Sequence, residues 1–483
     1  MAPLTLLLVI PILAAILSAL PLKQSRFAGK VTIVASAANL IFAADMVHRV
    51  LRFGTTEALG RFLVADSLSA VVATLVAFVA FTASLFSYGY IVIHREADDK
   101  VRRMQGYFVL YNLFVVSMLS APLLANLTLV WVAIELTTLM SAYLVAYVDT
   151  PEALEAAWKY VILTSAGAII GLFGFLLLYW GTQTAGEIPF TWQGLLQGAT
   201  RIPPAILWLG FLLSLIGFGT KVGLVPLHTW LPDAHSQAPA PVCALLSGIE
   251  TTTVLYVLMR LFPVLEASHV ANQSAWFCAA GLLSVGVAAF VLIRVHDYKR
   301  MFAASTVEHM GIIMVAVGLG GFPGHFAAIY QVAAHTLTKS LCFFAAGLVL
   351  VLTGTQEVAK IRGLMKRSPV TGAALLLGGL GIAGAPPFAV FISEFFIFRA
   401  AVFSKHYVVV GLLVAFVVMA FCAIMFHITG MVFGSGGVFN GHDSPVICKW
   451  AIAIAFVPML VLGFYLPPFL QTLFEGAARA LGK

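Results

Sequence analysis

Acidic and basic residues recur inside segments of this 483-residue chain that are otherwise strongly apolar. They are Glu135 in "WVAIELTTLM", Lys221 in "FGTKVGL", Glu250 in "SGIETTTVLY", Glu308 and His309 in "STVEHMG", His335 and Lys339 in "HTLTKSLCFF", and Glu394 in "FISEFF". A charged residue at the centre of a lipid-facing helix costs about 2.5–3.5 kcal/mol on insertion scales, so several of them must be paired or hydrated. A single such residue favours a structural hydrogen bond between helices. Acids and lysines spread over several helices favour a path for ions.

Lysine next to a carboxylate can act as a proton carrier inside a membrane. Burial favours the neutral amine, whereas a nearby carboxylate favours the ammonium form. We therefore expect Lys221 to hold a proton while Glu135 is close and to release it when the two separate. The path is predicted to continue past His335 and Lys339 to Glu394, because histidine titrates near physiological pH and suits the middle of such a path.

Two of these charges lie beside predicted breaks in apolar helices. The stretch "KVGLVPLHTWLPDAHSQAPAP" places Gly223 and Pro226 directly after Lys221, and "GIAGAPPFAVFISEFF" places Pro386 and Pro387 before Glu394. Broken helices expose backbone groups that lipid cannot satisfy, so they occur against protein or a wet cavity. Two breaks in corresponding halves of a chain are typical of inverted repeats with a site at mid-membrane. A third interruption is predicted around "HTLTKS", where His335 and Lys339 lie four apart on one helix face.

The elements that must position these residues are membrane helices. Hydrophobic residues make up 61% of the chain and charged residues 10%, which excludes a water-soluble surface. A helix needs about 20 apolar residues to span a bilayer. The sequence predicts an all-α polytopic membrane protein with about fourteen spans, near residues 3–20, 30–49, 66–92, 106–121, 124–147, 157–180, 204–225, 241–262, 273–293, 301–320, 324–353, 370–400, 407–432 and 449–470.

The distribution of Lys and Arg predicts the orientation of these spans. Loops after odd-numbered spans hold sixteen of the 27 basic residues and the opposite loops hold nine, with Lys221 and Lys339 inside spans. The richer side is expected in the cytoplasm, which places both termini on the outer side of a prokaryotic inner membrane. The first span lacks a basic segment before it and a clear cleavage site, so we interpret it as a helix rather than a signal peptide. The net charge of +7 is then explained by the basic residues of the cytoplasmic loops, and no nucleic-acid partner is needed to explain it.

Covalent chemistry is not indicated in this chain. The five cysteines form no C-x-x-C pair, and phosphate-loop, G-x-S-x-G and H-E-x-x-H motifs are missing from the sequence. His228, Asp233 and His235 could be drawn as a metal site, but a loop at the proton entrance is the favoured interpretation. We therefore expect no catalytic residue, no metal and no cofactor in this chain.

Four stretches together resemble a known family: "GFGTKVGLVPLHTWLPDAHSQAPAPVCALLSG", "HDYKRMFAASTVEHMG", "HTLTKSLCFFAAG" and "GIAGAPPFAVFISEF". They are similar to the antiporter-like membrane subunits of respiratory complex I, multisubunit cation/proton antiporters and group 4 membrane-bound hydrogenases. The "STVEHMG" and "APPFAVFISEF" forms most resemble the hydrogenase-4 and formate-hydrogenlyase branch. The resemblance implies N-terminal helices over 1–105, inverted five-helix repeats over 106–262 and 273–432, each with a half-channel, and a C-terminal helix over 433–483.

The resemblance also assigns roles residue by residue. Glu135 matches the family's glutamate of the fifth span and Lys221 the lysine of the broken seventh. His335 and Lys339 match the central pair of the eleventh span, and Glu394 the terminal charge of the broken twelfth. The chain departs from the family in the eighth span, where Thr252 stands at the position of a lysine or histidine. Glu250 is a candidate replacement, and Lys339 with water is the alternative.

Three functions are compatible with this resemblance. The first is a proton-translocating, or sodium-translocating, subunit of a redox-driven complex. Iron–sulfur, nickel–iron or flavin centres are then expected in hydrophilic partner subunits, beyond the other membrane subunits. The second is a subunit of a cation/proton antiporter, and the third is the energy-coupling membrane subunit of an inorganic-carbon uptake complex. A scaffold that has lost transport is a further alternative, although intramembrane charges are costly to keep without use.

Overall fold

Nearly all of the chain is helical in the computed structural model, which describes residues 3–20, 26–92, 100–439 and 445–482. The α-helices are α1 (Pro3–Ser18), α2 (Phe27–Phe53), α3 (Ser67–Ser87), α4 (Lys100–Leu123), α5 (Leu127–Val145), α6 (Pro151–Thr184), α7 (Trp192–Gly198), α8 (Pro204–Val222), α9 (Trp230–Gln237), α10 (Ala240–Leu245), α11 (Thr251–Ala267), α12 (Gln273–Ile293), α13 (Tyr298–Gly318), α14 (Gly321–Thr353), α15 (Leu364–Arg367), α16 (Pro369–Ile382), α17 (Ala389–Phe403), α18 (Tyr407–Phe433), α19 (Val446–Phe464) and α20 (Pro468–Arg479). Two short antiparallel strands, β1 (Thr56–Ala58) and β2 (Leu63–Ala65), form a hairpin before α3.

Membrane-spanning helices dominate this fold, which confirms the prediction of an all-α polytopic membrane protein. Within the described ranges, twelve helices are long and apolar enough to cross a bilayer, and α1 and α16 are shorter apolar helices. Each of the fourteen predicted spans contains one of these helices, the twelfth being the interrupted pair α16 and α17. Large apolar side chains such as Phe173 on α6 and Phe426 on α18 point outward, as expected of a surface that faces lipid.

The interior of the bundle is formed by α10–α11, α13 and α14. The most apolar 18-residue windows of Ala240–Ala267 and Tyr298–Gly318 are completely buried, compared with 28% burial for the corresponding window of α18. The three interior elements carry most of the polar residues noted in the sequence. The fold therefore keeps these residues away from lipid and next to each other.

Breaks occur in the seventh and twelfth spans. α8 ends at Gly223, whose φ of +87° is readily adopted by glycine, and α9 begins only at Trp230. α16 ends at Ile382, Gly384 has a φ of +78°, and α17 begins at Ala389. The Val225–Pro226 and Pro386–Pro387 peptide bonds are cis.

The predicted third interruption, around "HTLTKS", is wrong. α14 runs without a break from Gly321 to Thr353, because that stretch holds no proline or glycine and the Thr338 hydroxyl donates to the Ala334 carbonyl within the helix. His335 and Lys339 still share one face of the helix. The irregularity lies instead in the eighth span, where Leu246–Glu250 forms a π-helical segment between α10 and α11.

An ion pair joins the N-terminal helices to the rest of the bundle. Asp66 caps α3 by accepting from the Ser69 backbone amide at 2.9 Å, and Arg260 of α11 donates to the same carboxylate at 2.5 Å. Arg260 also donates to the Ser69 hydroxyl and lies over the ring of Tyr256. Arg260 lies within α11 and is 8% exposed.

Candidate functional site

Lys221 and Glu250 form a buried ion pair in the first half of the bundle. The Lys221 Nζ lies 3.4 Å from the Glu250 Oε1, and the two side chains are 1% and 2% exposed. The last turn of α8 carries the lysine up to the break, and the π-helical segment turns the glutamate toward it. Lys221 also donates to the Ile134 carbonyl and the Thr138 hydroxyl, both at 2.5 Å. The lysine expected to pair with Glu135 is thus paired with Glu250.

Two hydroxyl groups complete the surroundings of the Glu250 carboxylate. Tyr160 of α6 donates to Oε1 at 2.9 Å, and the Thr137 hydroxyl of α5 lies 2.8 Å from the same oxygen. Tyr160 also shares a hydrogen bond with Ser141 at 2.7 Å. The Glu250 carboxylate is therefore surrounded by polar partners from three helices, Tyr160 of α6, Thr137 of α5 and Lys221 of α8.

Glu135 occupies a different position, at the lateral surface of the bundle. Its Oε1 accepts from the Ser165 hydroxyl at 2.7 Å, while Oε2 is buried and has no hydrogen-bond partner among the described residues. The side chain lines a partly open cavity of about 260 Å³ between α5 and α6, next to Thr138. Lys221 donates to the carbonyl of Ile134, the residue before Glu135, and its salt bridge is made with Glu250.

The π-helical segment connects the two halves of the bundle. Irregular helix geometry frees backbone carbonyls, and two of them accept side-chain hydrogen bonds from α14. His335 Nε2 lies 3.2 Å from the Ser247 carbonyl, and the Thr336 hydroxyl donates to the Gly248 carbonyl at 2.8 Å. The Ser247 hydroxyl is also 2.6 Å from Thr306 of α13. The departure of the eighth span from the family pattern therefore lies next to the junction between the halves.

Lys339 contacts α13 in the second half. Its Nζ donates to the Phe302 carbonyl and to the Ser305 hydroxyl, both at 2.5 Å, and the residue is fully buried. Glu308 follows Ser305 by three residues and so lies on the same helix face, one turn further along. Glu308 is 3% exposed, and its Oε2 has no hydrogen-bond partner among the described residues.

His309 is held by a short polar chain at the second break. Its Nε2 donates to the Ile382 carbonyl at 2.9 Å, and Gln331 donates to its Nδ1 at 2.8 Å. Ser393 of α17 donates in turn to the Gln331 side-chain oxygen. Both ring nitrogens are therefore engaged, and the His309 ring lies 5.2 Å from that of His335.

Glu394 lies on α17, and its carboxylate reaches back into the break of the twelfth span. The residue is 4% exposed, and its Oε2 comes so close to Gly384 that a Cβ built there would be 2.4 Å away. The turn between α16 and α17 thus wraps around the carboxylate. Contacts define a row of ionisable side chains between the two breaks: the π-helical segment that carries Glu250 contacts His335, the His335 ring lies 5.2 Å from His309, and His309 contacts the break that holds the Glu394 carboxylate. The Lys221–Glu250 pair begins this row, Lys339 lies one turn from His335 on α14, and Glu135 lies at the lateral surface.

Two of the three residues considered for metal binding, Asp233 and His235, contact other groups of the chain. Asp233 forms salt bridges with Lys159 at 3.3 Å and with Arg300 at 2.7 Å, and so joins α9 to both halves of the bundle. His228 is half-buried in the linker after α8, and His235 Nδ1 contacts the Leu231 carbonyl. Across the described ranges, no cluster of three or more His, Cys, Asp or Glu residues is arranged to hold a metal ion.

Residues 124–421, more than half of the chain, match the family described as "NADH:quinone oxidoreductase/Mrp antiporter, TM". The chain belongs to this family. It is 37% identical over 415 residues to a hydrogenase-4 component F homolog of Methylacidiphilum infernorum, covering 85% of this chain and 86% of that relative.

Two solved structures show the same fold. One is a chain of the membrane-bound sulfane sulfur reductase, an archaeal respiratory membrane complex, with a TM-score of 0.86 and 24% identity. The other is a chain of the Mrp complex from Dietzia sp. DQ12-45-1b, with a TM-score of 0.89 and 19% identity. Each alignment covers 99% of this chain and 97% of the other. The fold of this chain therefore occurs in one chain of each of two kinds of membrane complex.

Four contributors to this region were given no role by prediction from the sequence. Tyr160 and Thr137 are two of them, although the threonine pair in "ELTTLM" begins two residues after Glu135 and offered a signal. Glu308 was noted and then set aside as a residue lining the bundle. Lys299 was counted as a loop charge, but it is 1% exposed and donates to the carbonyls of Ser236 and Ala238 at the end of α9, both at 2.7 Å.

Proposed function

We propose that this chain is the proton-translocating membrane subunit of a redox-driven complex of the complex I and membrane-bound hydrogenase type. The observation that supports it best is the row of buried ionisable side chains joining the two broken spans. Charged groups inside a membrane protein are costly and typically mark ion pathways. The similarity to a hydrogenase-4 component over 85% of the chain favours the hydrogenase branch.

Proton movement in the first half would start from the Lys221–Glu250 pair. The ammonium is stabilised while Glu250 is adjacent, and separation of the pair favours release of the proton. The proton then moves through water and the hydroxyl groups near His335 to Lys339, and from there to Glu394. Glu135 faces the lateral cavity, where a neighbouring subunit could bias Lys221 electrostatically. His228 is proposed to line the cytoplasmic entrance.

The remaining features of the complex follow from this assignment. Iron–sulfur, nickel–iron or flavin centres belong in hydrophilic partner subunits, and this chain contacts other membrane subunits and lipid. The protein is proposed to lie in the prokaryotic inner membrane with both termini on the outer side, as the distribution of basic residues favours.

A cation/proton antiporter subunit is the second candidate, because the matched family includes Mrp antiporters. Absorbance and mass spectrometry of the purified native complex distinguish the two candidates. Nickel, iron–sulfur or flavin subunits support the redox-driven complex, and purification with only small hydrophobic subunits supports the antiporter. A soluble zinc subunit would instead indicate the inorganic-carbon uptake complex.

Substitution of Lys221 tests whether this chain pumps. In proteoliposomes containing the native complex, Lys221→Ala is expected to reduce proton uptake by at least about tenfold, since a positioned proton-transfer group typically contributes about 10²–10⁴-fold. Lys366→Ala, in the short helix α15 before α16, is the matched control and is expected to pump at the wild-type rate. Unchanged pumping in Lys221→Ala, with the complex intact by mass spectrometry, contradicts the proposal.

A further inference from the structure

The second half of the bundle contains a buried acid for which the pathway described so far has no use. We infer that Glu308 is a proton-relay residue that exchanges a proton with Lys339 on one side and with Glu394 on the other. This inference rests on the proposed function and deepens it, because it adds a carboxyl group to the proposed pathway between Lys339 of α14 and Glu394 of α17.

Position is the first argument. The Lys339 ammonium donates to Ser305, which lies one turn before Glu308 on the same face of α13. Residues three apart on a helix have Cβ atoms about 5–6 Å apart, within reach of a glutamate side chain and a lysine ammonium. Glu308 is therefore one helical turn away from the hydroxyl that holds the Lys339 ammonium.

The other side of Glu308 faces the break in the twelfth span. The adjacent residue, His309, donates to the Ile382 carbonyl at the end of α16, which fixes this turn of α13 against the break. Glu394 lies against Gly384, two residues after Ile382. Along α13, Glu308 therefore lies between Ser305, which accepts from the Lys339 ammonium, and His309, which contacts the break that holds the Glu394 carboxylate.

Hydrogen bonding is the second argument. His309 is engaged at both ring nitrogens, by Ile382 and by Gln331, so it cannot accept a proton without breaking one of these bonds. Glu308 has a fully buried Oε2 without a partner among the described residues. Burying a carboxylate oxygen without a hydrogen-bond partner costs free energy. A role in receiving a proton explains why Glu308 occupies this position despite that cost.

The proposed step balances as a transfer of a single proton. The Lys339 ammonium gives its proton to the Glu308 carboxylate, which leaves a neutral amine and a carboxylic acid. Glu308 then gives the proton to the Glu394 carboxylate and becomes an anion again, while Lys339 is reloaded from the first half of the bundle. Two neighbouring carboxylates that share one proton avoid the repulsion of a doubly ionised pair.

Proton pumping by the reconstituted native complex tests this assignment with four variants. Glu308→Gln is expected to lower proton uptake at least about tenfold, and Glu308→Asp, which keeps the carboxyl group, is expected to recover a measurable part of it. The matched control is Glu152→Gln at the exposed start of α6. If Glu308→Gln pumps like the control while Lys339→Ala does not pump, the relay is overturned and the proposed function stands. If wild type and all variants fail to pump, the proposed function is what fails.

Infrared difference spectroscopy of the same complex gives a readout that does not depend on pumping. A protonated buried carboxyl gives a carbonyl stretching band, and we expect Glu308→Gln to remove one such band and Lys339→Gln to shift the pH midpoint of that same band. The proton exchange would be overturned if the pH midpoint of the Glu308 band were unchanged in Lys339→Gln, or if no band could be assigned to Glu308 at any pH. A requirement for sodium ions that disappears in Glu308→Gln would also overturn it, because the carboxylate would then be a cation ligand.

Discussion

At the scale of single residues, the unexpected feature is the choice of partner for Lys221. Two acids were available, and the fully buried Glu250 forms the ion pair while Glu135 lies half-buried at the lateral surface. Three donors converge on the Glu250 Oε1, from Thr137, Tyr160 and Lys221. Glu250 therefore takes the role of counter-ion in this chain, and Glu135 is free to respond to a neighbour.

This difference in burial predicts different stabilities for two matched variants. Glu250→Gln leaves the Lys221 ammonium buried without its counter-ion, and breaking such a pair typically costs about 3–5 kcal/mol. Glu135→Gln removes an acid that accepts one hydrogen bond at the edge of the bundle and should cost roughly 1 kcal/mol. Thermal denaturation of the purified complex in detergent measures both. Equal shifts in Tm for the two variants would show that Glu250 is not the principal partner of Lys221.

At the scale of elements, the two broken spans and the π-helical segment determine where charge can lie. Each break places a buried charge at a turn, Lys221 before the first and Glu394 after the second. The carbonyls of Ser247 and Gly248 in the π-helical segment contact His335 and Thr336 of α14. The segment that carries Glu250 is therefore linked directly to the helix that carries Lys339.

A glycine substitution tests the second break. In Gly384→Ala the new Cβ would lie 2.4 Å from the Glu394 Oε2, and the φ of +78° adds strain on the order of 1–3 kcal/mol. We expect the carboxylate to be displaced and proton uptake to fall while the complex still assembles. Gly411→Ala on α18 is the control, because nothing lies within 4 Å of its Cβ position. Wild-type pumping by Gly384→Ala would show that the position of Glu394 tolerates this change.

At the scale of the whole molecule, ion pairs near the helix ends hold separate parts of the bundle together. Asp233 joins α9 to Lys159 and Arg300, and Asp66 joins α3 to Arg260 of α11. Arg260 and Glu250, the partner of Lys221, belong to the same continuous span. The Asp66–Arg260 pair therefore connects the N-terminal helix α3 to the span that carries Glu250. The division into repeats over 106–262 and 273–432 stays a prediction.

The pair between Asp66 and Arg260 predicts a pH-dependent stability. Burial alone would raise the pKa of Asp66, but Arg260 outweighs it and holds the pKa below its ordinary value. A carboxyl whose pKa is lowered by folding stabilises the protein above its unfolded pKa, and this stabilisation is lost as the pH falls through the folded pKa. Asp66→Asn is expected to cost about 3 kcal/mol near neutral pH, the low end for buried pairs because Asp66 is partly exposed.

Thermal unfolding at several pH values measures this effect. The difference in Tm between wild type and Asp66→Asn should shrink as the solution is acidified. In the Asp66→Asn, Arg260→Leu double variant, the loss should be smaller than the sum of the two single losses. A Tm difference that does not change with pH, or strictly additive losses, would contradict a coupled ion pair.

The sequence by itself determined the class of the protein and the places where its helices span and break. The length of an apolar segment shows that it can span the membrane, and glycine and proline near Lys221 and Glu394 show where the helices break. Both signals are local in the sequence. The same local signal failed at "HTLTKS", where no helix-breaking residue is present. It also missed the π-helical segment, whose geometry depends on contacts with α14 and α13.

Only the tertiary structure decided which charges meet. Thr137 and Glu250 are 113 positions apart in the chain, yet 2.8 Å apart in space, and no spacing rule relates them. The order along the row, the pairing of Lys221 with Glu250 and the position of Glu308 beside the second break all depend on how helices pack side by side. Inside a membrane the energy of a charge depends on its neighbours within a few ångströms, so residue types set the candidates and packing selects among them.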